Sequence, residues 1–300
     1  MNHKQSFAIN PLEEAIAYEA YIALEKDRSE QKLEQQFQLH NTDNELIQIQ
    51  ANQPTISQFL DELHISSDYH KLKQVIAKEL KKGTGFSICT FMSYHYPQKL
   101  RDNKYPLKLF YYRGDINLLD TRCVSIVGSR QASEAGLKDT QQIAQYLIEK
   151  NYTIISGLAQ GIDTVALTTA IKTHGRIIGV IGTPIDQYYP KDNKDLQDEI
   201  GRRHLLLSHV PFYKYDKEPF SARRNYFPQR NIIMASISQA TIIVEASNTS
   251  GTLHQAKAAL DQGRQLFILD RCFKTATWPA RFERQGAIKI NNIDDIKENF

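Results

Sequence analysis

The sequence predicts an α/β protein: a doubly wound, mostly parallel sheet preceded by a small helical region. Three observations predict it. From Gly85 onward, apolar runs of about five residues, rich in β-branched and aromatic side chains, alternate with helix-length amphipathic stretches, as strands buried on both faces and their covering helices do. Residues 1–84 lack such runs and carry helical patterning instead. Small residues directly follow several of the runs, at the carboxyl strand ends where open α/β sheets bind ligands.

The elements follow in order. "PLEEAIAYEAYIALEKDRSEQKLEQQFQLH" is polar, free of glycine and places Ala, Ile, Tyr and Leu at mixed helical spacing, which predicts a solvated helix or a partly ordered extension over residues 11–50. "QPTISQFLDELHISSDYHKLKQVIAKELKKG" predicts two short helices, the first opened by Pro54 and Thr55 and the second closed by Gly83. Such a pair either packs on the rest of the chain or forms a small DNA-binding element. "FSICTF" and "LKLFYYRG" then open the region 85–300, followed by "VSIVGSR", "TIISG" (153–157), "RIIGVIG" (176–182), "HLLLSHV" (204–210), "ATIIVEA" (240–246) and "QLFILD" (265–270) as strands, with an amphipathic helix expected between successive runs. Two parts are therefore expected, 1–84 and 85–300.

Composition excludes several classes. Hydrophobic residues make up 41% and charged residues 24% of the 300, an ordinary balance for a globular protein. The net charge of +3 is unevenly divided, about −5 over residues 1–50 and +8 over the rest. No apolar run approaches the roughly 20 residues that span a bilayer, and "MNHKQSFAIN" lacks the succession of a signal peptide. Cys89, Cys123 and Cys272 lie far apart without a CxxC, and the nine histidines show no HxxxH spacing. A reducing cytoplasm and no metal are expected.

The residues after the runs share a theme. Gly128, Ser129 and Arg130 follow the third run; Ser156, Gly157 and Gly161 the fourth; Gly182 and Thr183 the fifth; Glu245, Ser247, Ser250, Gly251 and Thr252 the seventh. Small residues let backbone amides approach an anion at a helix N-terminus, so phosphate is the expected ligand. "GSRQASEAG" is not GxGxxG, the fourth run ends without an acid for a ribose, and no GxxxxGK[ST] is present; no dinucleotide cofactor or P-loop chemistry is expected. Arg130 is the cation of the first such turn, suited to fork onto a phosphate. In "FSARRNYFPQRN", Arg223, Arg224 and Arg230 interleave with Phe220, Tyr226 and Phe227, combining backbone-tracking charge with flat faces for bases. Asp163 is expected to cap the helix beginning beside it.

"VSIVGSR", "SGLAQGID", "YPKDN" (189–193), "FPQRN" with "IIMASIS", and "VEASNTSGTLHQA", in that order, resemble the motif set of the DprA/Smf family. "YPQKLRDNKYPLKLFYYRGDINLL" resembles its lead-in, and the likeness runs over about residues 85–270. The resemblance implies an extended Rossmann-like domain without known catalysis or cofactor. It implies a usually dimeric single-stranded DNA binder that protects incoming DNA and assists RecA loading in transformation. Its DNA-facing residues would be Gly128, Ser129, Arg130, Ser156, Gly157, Gln160, Gly161, Asp163, Arg230 and Asn231, with Arg223 and Arg224 added by composition. Gln160 and Ile232 stand where the family usually has arginine.

Two alternatives come from other classes. Phosphoribohydrolases share the sheet and a glycine-rich turn, and here Glu245, Ser250, Gly251 and Thr252 would bind or hydrolyse a nucleoside monophosphate. A nucleotide-signal sensor of a bacterial conflict system would use the same turn.

Overall fold

The computed structural model describes residues 9–24, 55–62, 66–91, 93, 96–101 and 107–297. The end of the expected N-terminal extension, beyond residue 24, and Pro54 lie outside them. The chain forms two compact units, Met1–Phe110 with Pro211–Glu218, and Tyr111–Val210 with Pro219–Phe300. The compositional change at Gly85 falls inside the first of these.

In the smaller unit, α1 (Pro11–Leu24) is buried from Glu14 to Ile22, which corrects the solvated helix expected there. Ala15, Ala17 and Ala20 are inaccessible, as are nearly all of Ile16 and Ile22, so the helix is apolar almost all round and has no polar face to set a period. Its two buried acids have work. Glu14 accepts hydrogen bonds from the amides of Ile56 (2.6 Å) and Ser57 (3.2 Å) at the start of α2 (Ile56–Glu62). Glu19 accepts from the amides of Phe212 (3.0 Å) and Tyr213 (2.9 Å) at the start of α8 (Phe212–Lys217). Carboxylates thus satisfy first-turn amides that lack intrahelical partners. Helix α3 (Ser67–Leu80), strand β1 (Ser87–Thr90) and α4 (Gln98–Arg101) complete the unit, where β1 neighbours β2 (Leu109–Gly114).

β2 continues into the larger unit. There β3 (Cys123–Val127), β4 (Thr153–Ser156), β5 (Ile177–Ile181), β6 (Leu205–Ser208), β7 (Ala240–Ile243) and β8 (Gln265–Leu269) coincide with the six apolar runs from residue 123 on. β9 (Ile288–Ile290) is added, three residues with one buried side chain, too short and too exposed to stand out as a run. The strand order is β2-β6-β5-β4-β3-β7-β8-β9. Every pairing from β6 to β9 is parallel and β2 joins antiparallel. Val124, Ile126, Ile154, Ile155, Ile177 and Ile178 are fully buried, each side chain contributing roughly 1.5–3 kcal/mol by leaving water.

Helices cross between the strands: α5 (Glu134–Glu149), α6 (Ile162–Lys172), α7 (Lys194–Arg203), α9 (Phe220–Arg223), α10 (Tyr226–Ile237) and α11 (Thr252–Asp261). After β8 come α12 (Asp270–Thr275), α13 (Pro279–Glu283) and, beyond β9, α14 (Ile293–Lys297). From β3 the chain winds one way through β4, β5 and β6, then returns to place β7 on the other side of β3. Diverging connections leave a crevice at the carboxyl ends of β3 and β7, the topological switch point where ligands bind in such sheets.

Candidate nucleic-acid interface

At the switch point the turns after β3, β4 and β7 line one cleft of about 330 Å³, bounded by Ser129, Arg130, Ala159, Asn231, Ser250 and Gly251 among others. A smaller cavity of about 60 Å³ lies beside it, lined by Arg130, Gln160, Tyr189, Phe227 and Arg230. Arg130, Ala159, Phe227 and Arg230 belong to both.

The turn after β3 is held from two sides. The Ser129 amide donates to the Glu245 carbonyl (2.6 Å), and the Ser129 carbonyl accepts from the Ile162 amide (3.2 Å). Gly161, at φ +76, sits so close that a Cβ would stand 2.4 Å from the Ser129 oxygen, so the turn after β4 can dock on it only through glycine. The Arg130 side chain remains exposed, with no hydrogen-bond or ion-pair partner among the described residues.

The turn after β4 is satisfied internally. Asp163, buried, accepts hydrogen bonds from the amides of Gly157 (3.2 Å) and Ala159 (3.4 Å), and the Gly128 amide reaches it too. Arg230, 5% exposed, donates to the carbonyls of Gly157 and Val180. A Cβ on Gly157 would fall 1.7 Å from its Nη1, so this glycine makes room for a guanidinium. Burial pushes the Asp163 carboxyl up and the Arg230 guanidinium down, and each charge opposes the other's shift. The backbone amide hydrogen bonds to Asp163 likewise oppose the upward shift that burial imposes on it.

These contacts correct three expectations. Asp163 does not cap α6; Gly161 holds that position, and the carboxylate folds back onto the preceding turn. The amides of Gly157 and Ala159 are therefore committed to Asp163 and are not offered to a phosphate. Ser156, fully buried, donates its hydroxyl to the Ile126 carbonyl (2.6 Å), and Arg230 points inward, so neither presents a free group at the surface.

The other expected residues divide. Gln160 is exposed and donates to Asp192 (2.9 Å). Asn231 is buried and donates to the Gly251 carbonyl (2.9 Å), fixing the turn before α11. Arg224 is exposed and stacks over Phe220 at 5.3 Å, itself 68% exposed, but neither Arg223 nor Arg224 lines the cleft. Ser250, Gly251 and Thr252 line it, whereas Glu245 does not. The Glu245 carboxylate accepts from the Ser133 amide (3.2 Å) and hydroxyl (2.7 Å) at the start of α5 and lies 3.9 Å from Arg271. Ile232, the second position lacking a family cation, is 38% exposed. Sequence reasoning passed over Tyr189, 42% exposed, whose ring lies 5.3 Å from that of Phe227; its place in "YPKDN" was the available signal.

Among the described residues no helix is long and apolar enough to cross a membrane. Residues 87–300 match the family described as DNA recombination-mediator protein A. The chain is 39% identical over 194 residues to DNA processing protein DprA of Streptococcus pneumoniae, covering 65% of each. To the DprA of Bacillus subtilis it is 33% identical over 238 residues, 78% of this chain and 77% of that one. Among solved structures, DprA from Streptococcus pneumoniae superimposes with a TM-score of 0.69 at 26% identity, covering 97% of this chain and 98% of that one. DNA processing protein A from Helicobacter pylori, solved for its single-stranded DNA binding mode, gives 0.61 at 28% identity over 71% of this chain and 94% of its own.

Proposed function

This chain belongs to the DNA recombination-mediator protein A family, and on that premise we propose that it binds single-stranded DNA at the cleft over β3, β4 and β7. The observation that carries the proposal is Arg130, exposed and without a partner among the described residues, on the wall shared by both cavities. A cation so placed forks onto a phosphate, while Tyr189 and Phe227 beside it offer faces for stacking. The hydroxyls of Ser129 and Thr249 along the larger cleft supply further donors to the backbone. Binding of this kind falls with salt and has little need of sequence.

Fluorescence anisotropy with labelled single-stranded and duplex oligonucleotides over a salt series tests the reading. Saturable binding that favours the single strand and weakens with salt is expected; no binding at low salt overturns it.

In the same proposal the protein works in the cytoplasm as a homodimer, protects incoming DNA and passes the strand to RecA. Sedimentation of the free protein and RecA filament growth on oligonucleotides coated with it test those parts. The reading assigns no catalysis. A phosphoribohydrolase would need Glu245 as its acid, and that carboxylate is engaged by Ser133 and Arg271 outside the cleft.

A further inference from the structure

Deep in the cleft wall Gln255, the fourth residue of α11, is fully buried. Its Nε2 donates to the Thr241 hydroxyl in β7 (3.4 Å), and its Oε1 has no hydrogen-bond partner among the described residues. Arg230, also on the cleft wall, has its Nε in the same condition. Both atoms are buried, and a ligand group that paired with either would relieve the cost of leaving it unpartnered. Phosphate does not fit Gln255, because a carbonyl oxygen repels an anion. A donor does fit. Phe227, Pro228 and Met234 supply apolar wall nearby, and the cleft, at about 330 Å³, is at the small end of the range for ligand pockets. Apolar walls with an inner hydrogen-bonding group are how proteins hold a single base turned out of its strand.

We propose that Gln255 is a specificity-determining residue: its Oε1 accepts a hydrogen bond from the exocyclic amine of one cytosine or adenine seated in the cleft. The inference rests on the single-stranded DNA reading above and deepens it. Thymine carries a carbonyl where cytosine carries its amine, so it sets oxygen against oxygen at Gln255 and leaves Oε1 unpartnered. One neutral hydrogen bond is worth about 1 kcal/mol, or about fivefold in affinity.

The test titrates the full chain with oligo(dC) and oligo(dT) of equal length at fixed salt, alongside Gln255→Leu, whose melting temperature and circular dichroism are checked first. Oligo(dC) is expected to bind about fivefold tighter than oligo(dT), and Gln255→Leu to bring the two to parity by weakening oligo(dC) alone. Should the leucine variant not fold, Gln255→Met, closer in shape, gives the same readout. Equal affinities in the unmodified protein, or a preference that survives in a folded variant, overturn the assignment and leave the single-stranded DNA reading standing. No binding of either oligonucleotide overturns both.

Discussion

The turn after β3 and the turn after β4 meet at one cleft, and each contributes to it in an opposite way. The turn after β4 has the glycines, the serine and the acid that suggest a phosphate loop, yet its amides are held by Asp163 and its carbonyl by Arg230. The turn after β3 has a single glycine and leaves Arg130 outward. The difference teaches that an acid inside a glycine-rich turn can consume the anion-binding capacity its glycines suggest. One turn is scaffold, and the other, resting on it, carries the available charge.

The largest effect is expected from breaking the scaffold. Asp163→Ala leaves Arg230 buried beside unpaired amides and should destabilise the protein by about 3–5 kcal/mol in chemical denaturation; Arg130→Ala, at an exposed site, should change stability by less than about 0.5 kcal/mol. Equal stability of the two variants would erase the contrast. Next in size, Arg130→Ala should weaken single-stranded DNA binding by about 1.5–3 kcal/mol, and reduce the slope of log affinity against log salt by about 0.7. An unchanged slope would move the phosphate contact elsewhere.

A further effect concerns pH. His209, buried against Tyr226 and hydrogen-bonded to Gln229 (3.2 Å), has its pKa lowered to about 4, mainly by burial. The unfolded chain takes up this proton near pH 6.5, the folded one only near pH 4. The contribution to stability is thus complete above pH 6.5 and is lost as pH falls toward 4, by up to about 1.4 kcal/mol per pH unit. His209→Gln should flatten that part of the stability curve, and a slope identical to the unmodified protein's would refute it. The smallest effect is a gain. Gln160→Arg places a cation in the smaller cavity's exposed wall and should raise affinity a few-fold at low salt, with the advantage fading as salt rises.

Much of this architecture was legible in the sequence, because strands buried on both faces are near-continuous apolar runs whatever their neighbours. All six runs from residue 123 onward are strands of the parallel sheet. The burial of α1 was not legible: glutamates at 14 and 19 read as solvated residues, and only helices starting at residues 56 and 212 give their carboxylates partners. The site divides along the same line. That Arg130 stands after a strand at a ligand-binding edge follows from local pattern and a fold rule. That Arg230 enters the space left by Gly157, 73 positions earlier, depends on tertiary contact that no spacing encodes. Gln255 lies in "LHQAK", which reads as the polar side of a helix, and only its packing against β7 makes it an inner residue.

The division between a supporting turn and a binding turn is tested most directly by the structure of the protein with a short single-stranded oligonucleotide. A phosphate is expected within hydrogen-bonding distance of the Arg130 guanidinium, with Asp163 still holding the amides of Gly157 and Ala159. A phosphate seated on those amides with Asp163 displaced, or a strand bound away from Arg130, would contradict the account.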